Sequence, residues 1–268
     1  MNKTELEILN MYPDILNLYG DIGNLISIEK RCQWRGIDVN IKNVRVNDEI
    51  DFQTADIILI GGGSDNGQTL IFKHIMDCRK HLINFIEEGN VVLGICGSYQ
   101  IFGNSYVNAD NQKIPCLEIF DIETIVSKER FTGNILISNN LNSDSSFNSQ
   151  TNSNLDDIVG FENHGGRIYH NYDVLGEVKV GFGNNGEDGK EGMIYKNFIG
   201  SYLHGPLLPK NPHITDHMIF TALKNKYGIK FLKDGMSSLG DIDDSIEIDA
   251  YNSMKQRLLK SPLLKSKH

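Results

Sequence analysis

The stretch VVLGICGSYQ, residues 91–100, decides how the chain folds. Val91 to Ile95 reads as a buried strand, Cys96 falls in a tight turn of small residues, and SYQIFGNSY continues as a helix. Strand, turn and helix with a nucleophilic side chain at the centre make the cysteine counterpart of the Gly-x-Ser-x-Gly elbow. Such a turn lifts the thiol clear of the sheet and aims helix N-terminal amides at it, which favours the thiolate. It also leaves the amide of the next residue, Gly97, as a donor to an oxyanion. Gly94 and Gly97 are the residues whose smallness the turn calls for. A lone cysteine is also commonly a small buried apolar residue, so the turn alone leaves both readings open.

Upstream of this elbow, short β-type runs alternate with helical periodicity, the pattern of a mainly parallel sheet covered by helices. Ile15 to Tyr19 reads as a strand, and Asn24 to Arg35 as a helix with Leu25, Ile28 and Cys32 on one face and Gly36 as its stop. Ile37 to Val44 and Asp56 to Ile60 are strand candidates, the second ending in Gly61-Gly62-Gly63-Ser64-Asp65. One long helix is expected from Gln68 to Glu88, on the stripe Ile71, Ile75, Cys78, Leu82 and Phe85. Downstream of Cys116 the texture changes. CLEIFDIETIV, FTGNILIS, GEVKVGF and GMIYK read as separate strands divided by turns, so antiparallel pairing is expected there. Residues 139–154, NNLNSDSSFNSQTNSN, are too polar to pack a core and read as a flexible surface insertion. FIGSYLHGP is a last strand, Pro212 to Tyr227 a helix stopped by Gly228, and Asp243 to Leu259 a helix within a C-terminal tail, 241–268.

Composition narrows the function. With 268 residues, 40% hydrophobic and 23% charged, the chain can bury one sizeable core, and a single domain over 1–268 is expected. Against 26 Lys and Arg stand 35 Asp and Glu, a net charge of −9, which argues against a nucleic-acid partner. No apolar run is long enough to span a bilayer and the N-terminus lacks a signal-peptide layout, so a cytoplasmic protein without membrane insertion is expected. Cys32, Cys78, Cys96 and Cys116 lie far apart without a Cys-x-x-Cys pair, as free thiols would.

A thiol nucleophile needs a base. His204 ends a strand at a Gly-Pro turn, which in an α/β sheet puts it on the carboxyl rim where Cys96 should lie; the competing reading is a structural histidine in a turn. His213 and His217 have helical spacing, but HITDH lacks the Glu of a zincin helix, and no metal is assigned. His74 and His81 read as surface or boundary residues of the long helix. The Gly61–Gly63 loop could approach a ligand closely, yet it lacks the Gly-Lys-Ser/Thr of a phosphate loop. GNNGEDGKEG, 183–192, has the wrong spacing and Glu191 where a hydroxyl is required, so no nucleotide site is expected in this chain.

The strings GGG, GICGSYQ and SYLHG in this order resemble the class I, triad-type glutamine amidotransferases, within the cobyric acid synthase-like group. LNLYGDIGN, CQWRGID, GGGSDNGQ, RFTGN, GFENHGGR and YLHGP extend the likeness, from Leu16 to about Tyr227, to small amidotransferase subunits of the lipid II isoglutaminyl synthase type. The resemblance implies an α/β, flavodoxin-like amidotransferase fold, with a central mainly parallel sheet flanked by helices and additional antiparallel strands. It implies that Cys96 attacks the side-chain amide of L-glutamine, that His204 moves the proton, that Gly97 and Gly62 hold the oxyanion, and that Gln100 and Arg130 bind the substrate. Asn163 and His164 match the family without an assigned role. Many class I enzymes carry Glu two residues after the histidine; here Pro206 stands there, so the third group is expected from Asp21, Glu162 or the partner. Relatives read CGGYQ where this chain has Ser98.

The implied partner is the Mur-ligase-like MurT synthetase subunit in a heterodimer, with ATP and Mg on that subunit and no cofactor in this chain. The implied product is D-isoglutamine in a lipid-linked peptidoglycan precursor of the cell wall. The alternatives are an amidotransferase feeding another acceptor, such as a cobyrinic acid derivative or a different wall polymer, a non-catalytic scaffold of the same fold, and a cysteine-elbow peptidase or chaperone.

Overall fold

The computed structural model describes residues 4–108, 113–143, 155–233 and 239–260. In chain order the elements are β1 Glu5–Met11, α1 Ile22–Trp34, β2 Asp38–Val44, β3 Ile57–Ile60, α2 Asp65–Asp77, α3 Arg79–Glu87, β4 Val91–Ile95 and α4 Gly97–Ile101. There follow β5 Ser105–Val107, β6 Lys113–Ile114, β7 Glu123–Ser138, β8 Asp157–Tyr169, β9 Gly176–Val180, β10 Lys190–Glu191, β11 Met193–Tyr195, β12 Phe198–Ser201 and β13 Leu203–His204. Helices α5, Pro212–Lys233, broken at Gly228 where φ is 72°, as expected of its stop, and α6, Ser245–Leu259, follow.

The first sheet runs β11-β12-β4-β3-β1-β2, parallel except for the edge pair β11–β12. From β1 the chain returns through α1 to β2 on one side, whereas from β3 it returns through α2 and α3 to β4 on the other. Right-handed crossovers in opposite directions place these helices on opposite faces and open a crevice at the carboxyl ends of β1 and β3. The second sheet holds β10-β9-β7-β5-β6, with β8 pairing both β7 and β13. One link between the sheets is decisive for the site. β12 lies beside β4 with Ser201 opposite Ile95, and after Tyr202 the same chain joins β8 as β13, so residue 204 arrives close to residue 96.

Several expectations change. Ile15 to Tyr19 is not a strand: β1 lies earlier, and Leu18–Gly20 form one 3-10 turn with Tyr19 at φ 62°. Asn17 Oδ1 accepts from the Ile22 amide at 2.9 Å, which stops the loop just before α1 begins. The expected long helix breaks at Cys78 into α2 and α3, although the whole stripe from Ile71 to Phe85 is buried as anticipated. The helix after Cys96 stops at Ile101, and Ser105 already begins a strand. CLEIFDIETIV and FTGNILIS supply a single strand, β7, with an irregularity between Val126 and Phe131. β8 was not anticipated, because Asn163 and His164 interrupt its apolar alternation where it faces the cleft described below.

Of the polar insertion, 144–154 lies outside the described residues, and Asn140–Ser143 make a 3-10 turn. Of the tail, α6 packs Tyr251 and Leu258 against Leu136, Val159 and Val180, and 261–268 lies outside the described residues. Arg31 bridges Asp216 and Asp244 at 2.6 Å each, tying α1 to α5 and to the start of α6. All four cysteines are free and buried. Among the described residues no helix is long and apolar enough to cross a membrane.

Candidate active site

Four loops meet at the carboxyl edge of the first sheet, those after β1, β3, β4 and β12, and each brings one residue to the same point. From β4 comes Cys96, at φ 52° and ψ −106°, a conformation that a side-chain-bearing residue adopts only at a cost of order 1–3 kcal/mol. The strain is that of a nucleophile elbow, and its amide is fixed by donating to the Ser201 carbonyl at 2.8 Å. Gly97 is required: a Cβ there would lie 2.6 Å from Gln68 Nε2 and 2.8 Å from the Gly63 carbonyl. Gly94 is not, because a Cβ would make only ordinary contacts, the nearest at 3.6 Å. Ser98 is helical, and its hydroxyl reaches the carbonyls of Ile60 at 2.7 Å and Ile95 at 2.9 Å, so the departure from Gly is accommodated.

His204 is fully buried, and Gly62 lies between it and Cys96: a Cβ on Gly62 would stand 2.6 Å from His204 Cε1 and 3.3 Å from Cys96 Cβ. The Cys96 sulfur acts on the imidazole electrostatically, while His204 Nε2 has no hydrogen-bond partner among the described residues. On its other side His204 Nδ1 meets Asp21 Oδ1 at 3.4 Å. Burial works against a charged imidazole, but the Cys96 sulfur and the Asp21 carboxylate outweigh it and lift His204 to about 10. Of the two acids in this chain expected as a third group, Asp21 reaches the imidazole. Glu162 does not: its oxygens accept from the amides of Phe182 at 2.8 Å and Gly183 at 2.9 Å.

Gly62, expected to point an amide at an oxyanion, donates it instead to Asp21 Oδ2 at 2.7 Å. The carboxylate thereby holds the glycine loop and the histidine together. The Gly97 amide lies in the first turn of α4, where helix amides have no intrahelical acceptor.

Above Cys96 opens a cleft of about 540 Å³, lined by Tyr19, Asp65, Gln68, Gln100, Arg130 and His164 among others. Gln100 is in its floor with both ends engaged, its oxygen 3.3 Å from Gln68 Nε2 and its nitrogen 2.9 Å from Tyr202 Oη. Arg130 sits where β7 is irregular and is steadied by Asn163, whose side-chain oxygen accepts from its Nε and Nη2 at 3.1 and 2.9 Å. His164 stacks on Tyr202 at 3.6 Å, turns Nδ1 to the Gly166 carbonyl, and is lowered from its ordinary value by burial. Tyr19, not anticipated at the site, lies edge-on to His204 at 4.9 Å and accepts from Asn163 Nδ2. Only its place in LNLYGDIGN hinted at this. Tyr202 and Gln68 were also missed, their roles depending on contacts distant in sequence. His213 is buried beside the ring of Tyr251, away from this cleft.

A cysteine elbow, a histidine carried in from a neighbouring parallel strand and an acid behind it define a thiol-dependent hydrolase or amide-transfer centre of the class I type. The chain belongs to the CobB/CobQ-like glutamine amidotransferase family, whose domain matches residues 7–212. It is 42% identical over 242 residues, 90% of its own length and 88% of the relative's, to the lipid II isoglutaminyl synthase (glutamine-hydrolyzing) subunit GatD of Staphylococcus aureus. The GatD subunit of Streptococcus pneumoniae is 35% identical over 84% of this chain and 83% of that one. A solved glutamine amidotransferase superposes with TM-score 0.51 at 15% identity over 80% of this chain and 98% of its own, a likeness of fold.

Proposed function

We propose that this chain is the glutaminase subunit of a two-protein amidotransferase that amidates the D-glutamate α-carboxyl of lipid II to D-isoglutamine. The observation that carries the reading is the grouping of Cys96, His204 and Asp21 at one elbow, in a chain so similar to glutamine-hydrolysing subunits. The Cys96 sulfur attacks the side-chain carbonyl carbon of L-glutamine, and the oxygen takes up the negative charge within reach of the Gly97 amide. His204 takes the thiol proton as the sulfur attacks and gives it to the departing nitrogen, so ammonia leaves and a γ-glutamyl thioester remains. Water then adds to the thioester with His204 as base, the carbon–sulfur bond breaks, and glutamate is released. Gln100 and Arg130 hold the substrate, and Asp21 keeps the imidazole oriented.

Ammonia released to water would be protonated and lost as a nucleophile. The second active site therefore belongs on a tightly docked Mur-ligase-type, MurT-like subunit, where ATP and Mg activate the acceptor carboxyl. The complex works on the cytoplasmic side, on a lipid-linked precursor. Glutamate release is expected to be weak for the isolated chain and to rise with the partner, and Cys96→Ala should cut it by about 10³-fold or more. Equal background with and without partner, and in Cys96→Ala, would overturn the proposal.

A further inference from the structure

The reaction described above uses the floor of the cleft, and the mouth carries a separate chemical message. Among the described residues, Asp65 is the one carboxylate and Arg130 the one Lys or Arg that lines it, and both are exposed while Cys96 is buried. Asp65 is the first residue of α2, delivered by the Gly61–Gly63 loop, and Arg130 comes from the irregular part of β7. Each is held in place. The Tyr106 hydroxyl donates to Asp65 Oδ1 at 2.8 Å, and Asn163 steadies Arg130. A carboxylate offers about four acceptor sites, so Tyr106 orients Asp65 without exhausting it. Asn163 takes the Nε and Nη2 side of the guanidinium, and Nη1 stands 3.7 Å from where a Cβ on Gly165 would be, over the cleft wall.

We infer that Asp65, oriented by Tyr106, receives the α-ammonium of the substrate, so that with Arg130 on the α-carboxylate the cleft mouth selects a free α-amino acid. The inference rests on the glutaminase reading and adds to it the substrate class that the mouth admits. When the side-chain amide of glutamine lies at Cys96, its zwitterionic head group lies one side chain further out. A zwitterion drawn into a cleft loses water from both charges and needs a partner for each. Without Asp65 the positive end would have only neutral groups among the described lining residues. A peptide-bound or N-acylated glutamine has no ammonium to offer and would leave the Asp65 carboxylate desolvated without compensation, which is how a polar site rejects an analogue.

Two probes separate this role from a merely structural one. The diazoketone 6-diazo-5-oxo-L-norleucine carries the amino-acid head group to Cys96, whereas iodoacetamide alkylates the same thiol without it; both are followed by intact mass. In Asp65→Asn, labelling by the diazoketone should slow about 10- to 100-fold, as expected for losing one hydrogen bond to a charged group. Labelling by iodoacetamide should stay within about twofold. In the complex, KM for L-glutamine should rise by a similar factor with little change in kcat, and the preference for L-glutamine over N-acetyl-L-glutamine should shrink by as much. Tyr106→Phe should give a smaller shift in the same direction. Unchanged diazoketone labelling in Asp65→Asn, or a wild type that accepts N-acetyl-L-glutamine as readily as L-glutamine, would overturn the assignment and leave the glutaminase reading intact. A wild type whose Cys96 ignores the diazoketone while reacting with iodoacetamide would overturn both.

Discussion

Two buried histidines, one beside Cys96 and one in the wall of the cleft, face acids at similar distances and respond in opposite ways. His204, where β12 passes into β13, meets Asp21 at 3.4 Å and is lifted to about 10; His164, in β8, has Glu162 at 3.8 Å and is lowered. Burial opposes charge on both. At His204 the sulfur of Cys96 adds to Asp21, and together they prevail. At His164 the acid is shared with the amides of Phe182 and Gly183, Arg167 adds a nearby positive charge, and Tyr202 covers one face of the ring. An acid beside a histidine is therefore no sign of a catalytic pair. Its surroundings decide whether the ring carries charge for chemistry or stays neutral to support a wall.

Exchanging the two acids for amides tests this contrast most severely. Asp21→Asn keeps an oxygen for the Gly62 amide but removes the charge behind His204, and glutamate release in the complex should fall by about 10²- to 10⁴-fold. Glu162→Gln keeps an acceptor for Phe182 or Gly183 and should leave turnover within about fivefold, its effect falling on stability by about 1–3 kcal/mol. Steady-state kinetics and thermal melts of both variants read the two effects separately. Equal losses of turnover would show that the two sides of the cleft are not distinct.

A smaller effect is expected between the two regions, at Glu191. It is fully buried beneath the β12–β13 passage, where its Oε1 accepts from Ser201 Oγ and the Tyr202 amide at 2.8 Å each. Burial lifts its carboxyl from an ordinary 4.5 to about 8. Between those values the native state holds a proton that the unfolded chain has released, so native stability declines as pH rises through that window and levels off above it. Glu191→Gln keeps the acceptor and removes the ionisation. Its melting temperature should match wild type near pH 5 and exceed it by about 5 °C or more at pH 9. Parallel curves for the two proteins would mean that Glu191 does not titrate in this range.

The elbow side of the molecule was largely legible in the sequence, and the wall side was not. Cys96, its strand and its helix follow one another within ten residues, and His204 ends a strand with a Gly-Pro turn, so local pattern sufficed to bring both to one rim. The wall is assembled from partners far apart in the chain. Glu162, a candidate third group, does lie opposite Leu203 where β8 pairs with β13, yet its side chain serves a turn at 182–183. The family resemblance made Gly62 an oxyanion donor, and only Asp21, 41 residues away, shows where its amide points. Tyr19 reads as strand by residue type and is a positive-φ residue against His204, since β propensity carries no information about what a loop must reach.

The finest test concerns Ser98, which sits inside α4 two residues after Cys96. Its single hydroxyl proton is shared between the Ile60 carbonyl at 2.7 Å and the Ile95 carbonyl at 2.9 Å, so it joins the ends of β3 and β4 beneath the elbow. Ser98→Gly removes that donor and adds backbone freedom to a helix, each at a cost of about 0.5–1 kcal/mol, and should lower the melting temperature by about 2–6 °C. Activity should stay within about threefold. Cys96 is held by its own amide on Ser201 and by the packing around Gly97, neither of which involves the Ser98 hydroxyl. A loss of turnover in Ser98→Gly comparable to that of Asp21→Asn would show that the hydroxyl sets the elbow geometry itself, and would move Ser98 from support of the sheet ends to control of the thiol.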